Sequence, residues 1–123
     1  MPSHTDARGT LTAVEFGLDV PFDAKRLYFV HDVVADRAGH AHQDTHQVLV
    51  AVTGQFTVTL SDGRAERSFV VDRIDRGLYI CPMLFIRLAG FTAGAVMASF
   101  ASTHYDKDRS IRSWPEYLAA IQS

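Results

Sequence analysis

Gln47-Val48-Leu49-Val50-Ala51-Val52-Thr53-Gly54-Gln55-Phe56-Thr57-Val58-Thr59-Leu60-Ser61-Asp62-Gly63 is the stretch on which the fold turns. Residues 47–53 are apolar and rich in β-branched side chains, as a buried strand requires. Phe56, Val58 and Leu60 then alternate with Thr57 and Thr59, the period of two of a half-buried strand. Gly54 alone separates the two runs and predicts a tight bend. Ser61-Asp62-Gly63 predicts a hairpin turn, because Asp-Gly tolerates positive φ, so residues 64–71 return beside residues 55–60.

Outward from this hairpin the same pattern continues. Residues 10–16, 25–33, 78–81, 84–88 and 95–101 read as further short strands between turn signals. Many short strands at near-regular spacing predict a sandwich or barrel. One helix is expected, at the end of the chain. Ser113 caps it, Pro115 suits its first turn, and Ser113 with Glu116 has the spacing of a capping box. Tyr117, Leu118 and Ile121 give that helix one apolar face, which packs on the outside of the sheets.

The bulk composition is compatible with one domain spanning residues 1–123. Hydrophobic residues make up 47% of the chain, enough for a core that needs neither disulfide nor structural metal. A net charge of −2 argues against a nucleic-acid binder, though not against a local basic pocket for a phosphorylated ligand. Cys81 is the sole cysteine, and within Tyr79-Ile80-Cys81-Pro82 it reads as a buried small hydrophobe. The polar start predicts no signal peptide, and no run has the length of a membrane span. The expected location is cytoplasmic, without a membrane partner.

Chemistry concentrates in the histidines. Three of the six, His40, His42 and His46, fall within seven residues. In an extended strand these even-numbered positions share a face. Gln47 then faces the other way unless a turn intervenes, and Gln43-Asp44-Thr45 is polar enough to make one. His4 is expected in a tail outside the fold, His31 as a strand histidine without a functional role, and His104 is open between the two. His40-Ala41-His42 supports three readings. It could hold a metal in the manner of cupins, small β-barrels that present His-x-His. The acid position that follows in that pattern is here the neutral Gln47, and the second motif, residues 77–87, supplies no histidine. Only His46 or His104 could complete a set, which would hold a metal poorly. The pair could instead do metal-free acid/base work, since imidazole titrates in the right range. It could also be structural, a hydrogen-bonded pair in a polar barrel mouth.

A wider set of residues, in order, carries a resemblance. Ala7-Arg8-Gly9-Thr10-Leu11 comes first, then Pro21-Phe22 and Lys25-Arg26-Leu27-Tyr28-Phe29. Arg37-Ala38-Gly39-His40-Ala41-His42 follows, then Gln47-Val48-Leu49-Val50 with Gly54, and Gly77-Leu78-Tyr79-Ile80 with Pro82. Tyr105-Asp106, Ile111-Arg112 and Tyr117-Leu118 close the series. Together these resemble the nucleotide-sugar 3,4-ketoisomerases, small cupins acting on dTDP-4-keto-6-deoxyglucose. The departures are Ala38 for a glycine, Phe29 for a tyrosine, Gln43 and Asp44 for basic residues, and Phe85-Ile86 where Trp followed by His or Arg is common, with Arg87 one place later.

The resemblance implies an all-β fold, a cupin-type double-stranded β-helix or jelly-roll barrel with a short C-terminal helix. It implies a tautomerisation without cofactor or metal. A base takes the C3 proton beside the C4 ketone, an enediol forms, and a proton returns at C4. His40 and His42 fit the proton shuttle, with Tyr28 and Arg37 as donors to the enediolate. Arg8 and Arg26 suit the diphosphate, because a planar guanidinium makes bidentate phosphate contacts. His46, Gln47 and Arg87 are further substrate-binding candidates. The family also implies a homodimer, often with exchanged N-terminal strands. Two other classes stay open: a metal-dependent cupin enzyme, and a cupin that binds sugar nucleotides without turnover.

Overall fold

A computed structural model describes residues 1–122. Eleven strands and one helix follow one another: β1 Ser3–Asp6, β2 Gly9–Thr12, β3 Arg26–Val30, β4 Arg37–His42, β5 Gln47–Thr53, β6 Phe56–Ser61, β7 Glu66–Val71, β8 Leu78–Ile80, β9 Phe85–Ala89, β10 Val96–Ala101, β11 Ser110–Ile111 and α1 Trp114–Ile121. A four-stranded sheet, ordered β3-β10-β5-β8, faces a five-stranded sheet, ordered β11-β4-β9-β6-β7. All pairings in both are antiparallel. This is the expected all-β jelly roll, built as two facing sheets whose edges are not joined by hydrogen bonds into a closed cylinder.

The central hairpin forms as its residues dictate. The Asp62 carboxylate accepts from the Arg64 and Ala65 amides at 2.8 and 2.9 Å, and Gly63 sits at φ 95°, where a side chain is strained. Phe56 and Val58 point between the sheets, where Leu49, Ala51, Ile80, Ile86, Leu88 and Met97 meet them. Burial of these apolar side chains, about 1.5–3 kcal/mol each for the large ones, is what holds the two sheets together.

On the far side of the five-stranded sheet, Phe85, Ala41 and Ile111 form a second apolar cluster with Tyr117. Helix α1 covers it. Ser113 caps the helix by accepting from the Glu116 amide at 3.2 Å, as the capping-box spacing predicts.

Three expectations are corrected. His4 is not in a loose tail: it lies in β1, opposite Leu11 of β2. Cys81 is exposed, because Ile80 takes the inward position at the end of β8 and the next residue turns out. The strand expected over residues 25–33 is β3, and it ends at Val30, since Asp32 adopts φ 53° and breaks the extended run. No helix is long and apolar enough to cross a membrane among the described residues.

Candidate active site

Strand β4 carries the site. Arg37 lies opposite Leu88 and His40 opposite Ile86, so β4 holds one residue more than β9 over this span. That bulge matters. In a regular strand residues 37 and 40 face opposite ways, whereas here both project to the side where Ile86 and Leu88 are buried. His42 follows at normal alternation. The His40 and His42 ring centroids are 5.0 Å apart with the planes at 85°. Gly39 within the bulge has a packing reason: a Cβ there would lie 2.0 Å from the Phe85 ring. Phe85, one of the departures, thus fills the space behind the histidine strand.

The cavity in front of the histidines has a volume of about 530 Å3. Val30, Leu88 and Met97 form its apolar floor, and Tyr28 and Tyr105 stand on its walls. Four arginines line it: Arg26, Arg37, Arg109 and Arg112. Asp44 and Asp106 neutralise Arg109. Among the described residues no carboxylate pairs with Arg26, Arg37 or Arg112. Arg26 is instead flanked by the rings of Tyr28 and Tyr105, at 5.4 and 5.6 Å, and its buried Nε has no hydrogen-bond partner. Three uncompensated cations around one cavity form a site for an anion.

The same charges act on the histidines. Burial, with the Arg37 and Arg112 guanidiniums, holds His40 below the usual imidazole range. Burial, then His40 and Arg26, push His42 down to about 4, against the opposing pull of Asp44. Both rings are therefore neutral at pH 7, the form that can accept a proton. The buried Nε2 of His42 has no hydrogen-bond partner among the described residues.

Residues 1–122 match the family described as "FdtA: WxcM-like, C-terminal". The chain belongs to this family, and with it to the isomerases. It is 35% identical over 121 residues to the TDP-4-oxo-6-deoxy-alpha-D-glucose-3,4-oxoisomerase of Aneurinibacillus thermoaerophilus, covering 94% of this chain and 87% of that one. A 3,4-ketoisomerase from Helicobacter canadensis superposes with a TM-score of 0.95 at 31% identity, over 99% of this chain and 93% of that one. The sugar 3,4-ketoisomerase QdtA from Thermoanaerobacterium thermosaccharolyticum, solved with TDP, gives 0.93 at 32% identity, over 98% and 90%. A histidine-to-asparagine variant of QdtA was solved with TDP-4-keto-6-deoxyglucose.

Within this FdtA-family chain the cavity gathers His40, His42, Tyr28, Arg37 and Arg26 of the residues singled out in the sequence. Four others lie elsewhere. Arg8 sits in the β1–β2 turn with its side chain 91% exposed, held by Asp6 at 2.7 Å. His46 follows the turn after β4, which breaks the shared parity; its Nδ1 meets the Tyr79 hydroxyl at 2.5 Å and its ring approaches Phe22. Gln47 does face inward, 1% exposed, because that same turn intervenes, but it does not border the cavity. Arg87 alternates outward from β9, over Trp114 and 2.8 Å from Glu66.

The structure also adds His104, Tyr105 and Arg112, brought over the cavity by residues 103–112. His104 stood open in the sequence, and the ordered matches at Tyr105-Asp106 and Ile111-Arg112 are the only sequence signal for the other two. With His46 on the opposite face, the metal-binding alternative loses that donor. Among the described residues no three His, Cys, Asp or Glu side chains converge on one point.

Proposed function

We propose that this chain converts dTDP-4-keto-6-deoxyglucose into a dTDP-3-keto-6-deoxyhexose by moving a proton between C3 and C4. The observation that carries the reading is one cavity holding two adjacent neutral imidazoles and three unpaired guanidiniums. One imidazole removes the C3 proton, and the C3–C4 enediol forms as the C4 oxygen gains a proton. Return of a proton to C4, with loss of the C3 hydroxyl proton, leaves the C3 ketone. No electron acceptor is consumed. Tyr28 and Arg37 stabilise the developing oxyanions, and Arg26 with Arg112 receives the diphosphate. This division of labour requires no metal and no cofactor.

We further infer a cytoplasmic homodimer with exchanged N-terminal strands. The outer face of the four-stranded sheet leaves Leu27 and Phe29 about half exposed, with Val52 and Tyr79 beside them. All four residues of β1 and three of the four in β2 are exposed, so the described residues leave most of this hairpin uncovered. Pairing with a second copy would cover both surfaces and bring Arg8 towards the partner. Sedimentation at micromolar concentration tests the dimer, and a monomer there would refute it. Incubation with dTDP-4-keto-6-deoxyglucose, with NMR of the product, tests the reaction. A 3-keto product is expected; bound but unconverted substrate contradicts the reading.

A further inference from the structure

Tyr117 is the largest fully buried side chain in the molecule, and it belongs to the helix, outside the cavity. Its ring stacks on Trp114 and tilts against Phe85. Apolar packing accounts for the ring but not for the hydroxyl, which a phenylalanine would spare from burial. That hydroxyl lies 2.7 Å from the Met83 carbonyl oxygen and 3.1 Å from that of Ser61. A phenol has one proton, so the shorter contact is its principal bond. Burial pushes the phenol up from its ordinary value, which keeps it protonated and a donor.

Met83 is itself unusual. It adopts φ 67°, the left-handed region that a side chain disfavours, in the turn between β8 and β9. Such a conformation persists only where its surroundings hold it. Its amide donates to the His42 carbonyl oxygen at 2.8 Å. Two bonds thus run in series from the helix to the histidine strand. On the other side of this strand end, Ser110 of β11 pairs with His42, and the Gln43 amide donates to the Arg109 carbonyl oxygen at 3.0 Å.

We infer that Tyr117 is a positioning residue for His42: its hydroxyl fixes the Met83 turn, and the Met83 amide fixes the backbone from which the imidazole projects. The inference rests on the proposed role of His42 in proton transfer. A proton moves efficiently only between atoms held in near-attack geometry, so a displacement well under 1 Å at the strand end lowers the rate without removing any group that binds the substrate.

Tyr117→Phe keeps the ring and deletes the bond. It should lower kcat about tenfold and leave KM within about twofold, the pattern of an interaction needed only in the transition state. Exchange of the Met83 amide with deuterium should speed up about tenfold in this variant, while amides of β6 remain as protected as before. Ser113→Ala is the control. It weakens the same helix by removing its cap but touches neither bond, so it should lower Tm and leave kcat at wild-type level.

A Tyr117→Phe variant with wild-type kcat, or one whose kcat loss is matched by Ser113→Ala, overturns the inference. If Tyr117→Phe does not fold, a backbone ester at position 83 decides: it replaces the amide that donates to the His42 carbonyl oxygen, keeps the Met83 side chain, and should lower kcat several-fold with KM unchanged. A wild-type kcat there overturns the inference equally. The amide-exchange result separates the two levels. A wild-type chain that does not isomerise contradicts the proposed function, whereas an unaltered Met83 amide in Tyr117→Phe contradicts the relay.

Discussion

Strand β4 and the segment from Thr103 to Arg112 line the same cavity, and they differ in what they contribute. Strand β4 supplies two half-buried imidazoles whose environment keeps them neutral. The later segment supplies the more exposed Tyr105, Arg109 and Arg112, with Arg109 held by Asp44 and Asp106. On the proposed function, chemistry belongs to a strand paired between β9 and β11, and recognition to the segment that follows β10. The division predicts that substitutions in the two regions act on different kinetic constants.

The largest effect belongs to β4. His40→Asn or His42→Asn should each lower turnover by at least about a hundredfold, the scale of a lost general acid or base, with dTDP affinity nearly unchanged. If the histidines only brace the cavity, Tm, affinity and turnover will instead fall together. In the later segment, Arg112→Ala should weaken dTDP binding by about tenfold, the worth of one charge-assisted hydrogen bond, and leave turnover at saturation nearly intact. Isothermal titration beside steady-state rates separates the cases. A loss of kcat in Arg112→Ala as large as in the histidine variants would erase the contrast.

How far the two regions could be read in advance also differs. The hairpin Phe56–Val71, the capped helix and the His40/His42 pair follow from local rules: period, turn chemistry, capping and strand parity. Arg37 shares the cavity for a reason that parity denies, because the bulge before His40 leaves no mark in the sequence beyond Gly39. His46 leaves the site because Gln43, Asp44 and Thr45 form a turn whose length decides the face of everything after it. Arg112 enters only through the tertiary pairing of the two-residue strand β11 with β4. Strand β1, Ser3–Asp6, is polar and wholly exposed, so no hydrophobic period announces it.

A smaller effect concerns pH. His42 is held near 4, whereas in the unfolded chain it titrates near 6.5. Between these values the unfolded state binds more protons, so stability falls as pH drops through that window and is fully present above it. Tm should decline from pH 6.5 towards 4, and His42→Asn should flatten the decline; an unchanged slope in that variant would locate the titration elsewhere. The smallest effect is none. Exhaustive chelation should leave Tm and turnover unchanged, because the proposed chemistry uses imidazole, phenol and guanidinium groups alone. Stoichiometric zinc, iron, nickel or manganese in untagged protein, lost together with activity, would contradict this.

The central claim is that the proton moves on the two neutral histidines of β4. It is tested most directly by the His40→Asn, His42→Asn double variant, incubated with dTDP-4-keto-6-deoxyglucose and followed by NMR of C3 and C4. The account predicts a folded protein that binds the sugar nucleotide and yields no 3-keto product above the uncatalysed rate. Isomerisation at near wild-type rate by that folded variant would contradict it.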